Sequence, residues 1–183
     1  YLDNRGTAAS FAIMERHPEA FETWIERHGI PTIGSGLSLG HMLHLQQETP
    51  ADHERTTAWL EPMDFVNLRL TGRVAATQAT VFTSQLCDNR TLGSTAYDPD
   101  LVAMAGVDAD RLPPLIPVDG IVGELLGPVA EQLGLPAGIT VPAGMNDSHA
   151  GAYATGAATA GRVGLVIGTT AVLLDTIDHL AVD

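Results

Sequence analysis

GMNDSHAGAYATGA, residues Gly144 to Ala157, sets a single acid between an apolar, strand-like stretch and a run of alanines and glycines. The segment before it, Ile139 to Val141, reads as extended, and a small-residue helix is expected from Ser148 to about Ala158. Asp147 therefore stands at a strand-to-helix junction. In α/β folds such junctions line ligand crevices, because side chains there project from the carboxyl end of the sheet. Two uses of the carboxylate compete for the same oxygens: it caps the helix by accepting backbone N–H bonds, or it faces a ligand as a proton acceptor. Gly151, Ala152, Ala154, Gly156 and Ala157 carry a second message. Glycine inside a helix costs up to about 1 kcal/mol relative to alanine, so this clustering points to close approach by a packed sheet, another backbone or a ligand.

Downstream, GLVIGTTAVLLDTI reads as two apolar strands joined by a tight turn at Gly168, Thr169 and Thr170. Such a turn offers backbone N–H groups and hydroxyls to a phosphate, or is simply a hairpin turn. Upstream, GIVGELL and GITVPAG are further strands. Earlier still, helices dominate. HPEAFETWIERHG, EPMDFVNLRLTG, DPDLVAMAG and GPVAEQLG each place proline at the start and glycine at the stop, and Phe21, Trp24, Ile25 and His28 share one helix face. LSLGHMLHLQQE is expected to be helical, as is ATQATVFTSQLCD, the latter weakened by its β-branched residues. The best boundary lies at GAATAGR, Gly156 to Arg162. The chain opens on Tyr1 and stops at Asp183, directly after a strand-like run, which reads as a piece of a longer protein.

Nine basic against 22 acidic residues give a formal charge of −13, with no lysine in the chain. Phosphate contacts that dominate nucleic-acid affinity need clustered cations, so nucleic acid and anionic membrane are poor partners. The longest apolar run, Val163 to Leu174, is interrupted by Gly168-Thr169-Thr170 and falls short of the roughly 20 residues of a membrane helix. Cys87, the single cysteine, excludes an internal disulfide and fits a reducing, cytoplasmic setting.

Asp3 and Arg5 in YLDNRG form either a solvated pair or an ion pair anchoring the next helix. Arg5 suits the structural part, because a guanidinium can hold several carbonyls or a carboxylate at once. His41 and His44, three apart, have the spacing of a metal pair but no third ligand at suitable spacing. Asp147, Ser148 and His149 are no hydrolase triad, since adjacent residues cannot form a relay.

In order, YLDNRG, GLSLGHMLHL, PMDFVNLRLTG, LPPLIPVDGIVGELL, AEQLGLPAGITVPAGMNDSHAGAYATGA and GLVIGTT resemble the central portion of the FGGY family of carbohydrate kinases, closest to its xylulose and ribulose kinases. The resemblance implies an α/β fold of the actin-like, ribonuclease H-like ATPase type. Residues 1–158 would be part of the N-terminal sugar-binding domain, lacking its first phosphate loop, and residues 159–183 the first strands of the C-terminal ATP-binding domain. It implies ATP- and Mg²⁺-dependent phosphorylation of a sugar or polyol hydroxyl, a pentulose above all, in a cytoplasmic enzyme. Asp147 matches the general base, and Ser148 falls where a sugar-contacting Asn is usual. Gly168, Thr169 and Thr170 match the second phosphate loop. Asp3 and Arg5 match the sugar-site motif, with Tyr1 in place of its usual Trp.

Phosphoryl transfer is mostly positioning and charge stabilisation, so one base aimed at the hydroxyl suffices. Against the family pattern, His41 and His44 replace the usual Lys and Trp, Thr77 replaces an Asp, and Gly36 carries no substrate-packing Tyr. The isolated chain is expected to be inactive. A catalytically inactive sugar-binding or regulatory member of the same fold is the alternative. The oligomeric state stays open, a homodimer included.

Overall fold

The computed structural model describes residues 3–31, 37–168 and 171–181. Tyr1, Gly36, Thr169 and Thr170 lie outside the described residues. The chain begins with helices α1 (Thr7–Arg16), α2 (Ala20–Arg27), α3 (Ser38–Glu48), α4 (Pro50–Arg55) and α5 (Pro62–Thr71). A 3₁₀ turn (Thr80–Ser84), α6 (Pro99–Ala105) and a second 3₁₀ turn (Ala109–Arg111) follow. Then come β1 (Ile121–Glu124), α7 (Gly127–Leu133), β2 (Thr140–Pro142), α8 (Asp147–Ala154), β3 (Val163–Ile167) and β4 (Ala171–Asp175).

Local chemistry sets the helix ends. Pro62, Pro99 and Pro128 stand in the first turns of α5, α6 and α7, where a missing N–H costs nothing. Gly72, Gly106 and Gly134 close the same helices at φ 74°, 73° and 66°, the left-handed region that a side chain disfavours. Asp98 caps α6 by accepting from the amides of Asp100 and Leu101 at 2.9 and 3.1 Å, and also takes Arg27 Nη1 at 2.9 Å. That one carboxylate joins α2 to α6. The short, polar α4 buries none of its residues, so no apolar stripe marks it in the sequence.

The main core gathers Ile13 of α1, Trp24 of α2, Leu39 and Leu43 of α3, Leu86, and Leu101 of α6. Trp24 is fully buried and its indole N–H donates to Gln85 O at 2.9 Å. Burying side chains of this size stabilises by about 1.5–3 kcal/mol each. Where α1 meets α3 there is no room for a side chain: a Cβ on Gly6 would lie 2.5 Å from Gly40 C. Of the residues expected to share one face of α2, Trp24 and His28 are buried and Phe21 is 43% exposed.

The expected helix over ATQATVFTSQLCD is reduced to the 3₁₀ turn. Val81 leaves helical geometry and Gln85 turns left-handed at φ 58°. Thr77 and Thr80 explain the shortening, because each backbone N–H donates to the other's hydroxyl, at 2.9 and 3.1 Å. Hydroxyls engaged with nearby backbone compete with helix formation.

The expected α/β layering is met in part. Among the described residues the strands form two separate antiparallel pairs, β1 with β2 and β3 with β4, and one isolated parallel bridge joins Ala76 to Leu115. β2 thus feeds α8 from an antiparallel pair rather than from a parallel sheet. β3 pairs with β4 from Val163 opposite Asp175 to Ile167 opposite Ala171. Helix α8 packs on this hairpin through its missing side chain: a Cβ on Gly151 would lie 3.3 Å from Val166 Cγ2. A Cβ on Gly164 would lie 2.9 Å from Ala157 Cβ. Tight packing therefore accounts for Gly151 and Ala157, whereas Gly156, at φ 74° with nothing within 4 Å of its Cβ position, serves the turn after α8.

Candidate functional site

The loop from Ala143 to Asn146 carries the chain from β2 to α8 across α5. Ala143 N donates to Gly120 O at 2.9 Å, Asn67 Nδ2 of α5 reaches Pro142 O at 3.3 Å, and Gly144 lies so close to Met63 that a Cβ would sit 3.0 Å from its Cγ. The helix then starts at an extended Asn146, with φ −75° and ψ 165°. Its carbonyl accepts from Ala150 N at 3.0 Å, and its side-chain Oδ1 accepts from His149 N at 3.0 Å. Asn146, not Asp147, is the cap. This corrects the capping use of Asp147 open from sequence: the side chain of the half-in residue reaches the orphan amides, and that residue is one earlier.

Asp147 is the first residue of α8 and exposed, and among the described residues no hydrogen bond ties its carboxylate. Ser148 follows it, also exposed. Gly168 ends β3 at a bend, while its partners in the expected phosphate loop, Thr169 and Thr170, lie outside the described residues. Asp3 and Arg5 bond to each other. Arg5 Nη2 donates to Asp3 Oδ2 at 2.6 Å and Arg5 Nε to Oδ1 at 3.0 Å, and this guanidinium holds the Asp3 carboxyl well below the usual carboxylate range. The pair is exposed, so it adds little stability. His41 Nε2 lies 3.2 Å from Asp3 O. No hydrogen bond links Asp3 or Arg5 to α8 among the described residues.

Beside the first turn of α8 lies a crevice of about 610 Å³, bounded by the Gln78–Ala79 turn, Phe82, His28, His149 and the tail from Asp175 to Ala181. Phe82 meets two imidazoles: His28 lies 5.0 Å from it at a 34° tilt and His149 meets it edge-on at 6.3 Å and 77°. Burial pushes His28 down to about 4, which keeps its ring neutral near pH 7, and desolvation also lowers His149. His28 Nδ1 is buried without a partner. Asp147 stands on the same turn as His149 but does not itself line this crevice.

Another acid escapes sequence reasoning. Asp64 on α5 is 2% exposed, one of its oxygens is buried without a partner, and burial, with Glu61 adding, raises it to about 6. No periodicity separates it from an ordinary helical aspartate. Among the described residues no three His, Cys, Asp or Glu side chains gather to hold a metal ion, and no helix is long and apolar enough to cross a membrane.

Residues 3–154 match the family model described as the N-terminal domain of the FGGY family of carbohydrate kinases. The chain belongs to the FGGY family. A xylulose kinase of Bacillus subtilis is 30% identical over 139 residues, covering 76% of this chain and 27% of that protein. A ribulokinase of Mycolicibacterium smegmatis is 29% identical over 151 residues, covering 81% of this chain and 27% of its own length. The chain thus spans about a quarter of these FGGY relatives. Among solved structures, a ligand-bound xylulose kinase from Lactobacillus acidophilus superposes with a TM-score of 0.84 at 15% identity, over 99% of this chain and 36% of that one. A glycerol kinase of Plasmodium falciparum, solved with ADP, gives 0.75 at 14% identity, over 91% of this chain and 33% of that one. These likenesses fix the FGGY fold: a helix-rich body with few strands, about a third of a full kinase.

Proposed function

We propose that this FGGY chain is part of an ATP-dependent kinase that phosphorylates a sugar or polyol hydroxyl, with a pentulose as the first choice of substrate. The observation that carries the reading is the uncommitted carboxylate of Asp147 at the start of α8, with the cap handed to Asn146. An acid whose lone pairs are not spent on its own helix can accept the proton of a substrate hydroxyl. Ser148 would contact the sugar beside it. Asp3 and Arg5, with Tyr1, would form the other wall of the sugar site, the ion pair keeping Asp3 ionised. Gly168, Thr169 and Thr170 would meet the phosphates of ATP. Mg²⁺ bound with the nucleotide would neutralise phosphate charge, and the described residues gather no set of three ligands for it.

In this reading residues 1–158 belong to the actin-like N-terminal domain, and residues 159–183 open the ATP-binding one. Two observations support that division. The family match stops at residue 154, and the hairpin beyond it leaves Leu165, Ile167 and Leu173 57%, 75% and 70% exposed, as strands do when the layer that covers them lies elsewhere. The test is a coupled ADP assay of the complete protein over D-xylulose, D-ribulose, L-ribulose and polyols. Mg²⁺-dependent ADP release with at least one of them is expected. The second reading, an inactive sugar-binding or regulatory member, is favoured by His41, which stands where the family usually has lysine and sits against the Asp3 carbonyl. Sugar binding without ADP release from any candidate would select it.

A further inference from the structure

We propose that Asn146 is a positioning residue for Asp147: by taking the helix cap with one side-chain atom and the Ala79 carbonyl with another, it leaves the neighbouring carboxylate free at a fixed helix start. The inference rests on Asp147 being the general base.

Asn and Asp are equally good cap residues, and here they stand side by side at the start of α8. Whichever occupies the half-in position spends its oxygen on the first-turn amides. Asn146 does so, its Oδ1 taking His149 N at 3.0 Å. An aspartate at 146 could do the same, but only an amide can also donate. Asn146 Nδ2 points to Ala79 O at 3.4 Å, a long bond to a residue 67 positions away. Ala79 belongs to the turn whose ends are locked by the reciprocal Thr77 and Thr80 bonds, both residues being buried. The start of α8 is therefore registered against a rigid part of the helical body. A helix start free to move by one residue would make Asp147 the cap, because aspartate satisfies the same amides, and its oxygens would then turn inward along the helix.

Asn146→Ala removes both bonds, and Asn146→Ser restores the cap but not the reach to Ala79. In the complete protein, Asn146→Ala is expected to lower kcat about tenfold to a hundredfold, as small misplacements of a reacting group do, with the sugar KM within about threefold. Asn146→Ser, with the cap but without the reach to Ala79, is expected to recover only part of that loss. A readout independent of activity is the backbone amide resonance of His149. Asn146→Ala should move it and make it acid-sensitive, as Asp147 takes over the cap, whereas Asp147→Asn in the wild-type background should leave it in place. Unchanged kcat in Asn146→Ala overturns the positioning role. So does a His149 amide that moves as far in Asp147→Asn as in Asn146→Ala, because Asp147 would then be the cap. A wild-type protein that forms no ADP with any sugar, while the amides behave as described, removes the kinase reading and the catalytic consequence together but leaves the cap assignment standing.

Discussion

The helical body and the edge formed by α8 with the β3–β4 hairpin use apolar residues in opposite ways. In the body Ile13, Trp24, Leu39 and Leu101 are fully buried, and even the polar groups brought inside, Thr77, Thr80 and Gln85, have partners for most of their atoms. On the edge, Ile167 and Leu173 face outward, α8 buries none of its own residues, and Asp147 stands exposed at its start. Stability resides in the buried body, and the chemistry proposed for Asp147 would reside on the exposed edge. The body is closed and holds the fold; the edge is open and carries Asp147.

Substitutions can break that division. The largest effect is expected at the edge: Asp147→Asn should reduce turnover of the complete protein by roughly 10² to 10⁴ with sugar binding and thermal midpoint little changed. Wild-type turnover in that variant would remove the base from the open side. Next comes the body, where Trp24→Ala should cost about 3–5 kcal/mol in denaturant unfolding, from lost transfer energy, the cavity left behind and the orphaned Gln85 carbonyl. The kcat of whatever protein remains folded should be unaltered.

Asp64 sharpens the contrast further, as a body carboxyl raised from 3.8 to about 6 chiefly by burial. Between those values the folded state keeps a proton that the unfolded chain releases, so stability should fall as pH rises from about 4 to about 6, by up to about 3 kcal/mol, and level off above. Asp64→Asn should flatten that slope, seen as a thermal midpoint less sensitive to pH over the same window. The smallest effect is expected at Leu173→Ser in this 183-residue chain, below about 0.5 kcal/mol, because the side chain is 70% exposed. A cost of several times that would mean the outer face of the hairpin is covered.

What could be read from the sequence was what neighbours along the chain decide. Proline at the start and glycine at the stop located α5, α6 and α7, because both act through the φ of single residues. Short apolar runs bounded by glycine and proline located all four strands, because burial of a strand also shows in its own few residues. The segment from Thr77 to Gln85 escaped: its hydroxyls bond backbone three residues away, and its side chains answer to partners as distant as Ile30 and Pro31. At the site, the junction that holds Asp147 was legible, but the choice of cap was not. Two adjacent residues of equal capping ability differ only through the reach of Asn146 to Ala79, which no local pattern encodes. The cluster of His28, Phe82 and His149 was hidden likewise, since its members come from three separate stretches of chain.

The glycines at 151 and 164 carry a mechanical consequence. At Gly151 the backbone of α8 comes directly against the Val166 and Leu174 side chains, and at Gly164 the backbone of β3 comes directly against Thr155 and Ala157 just past the helix; packed interiors pass strain rather than absorb it. A displacement of β3 would therefore reach α8 at Gly151, about one turn from the Asp147 carboxylate.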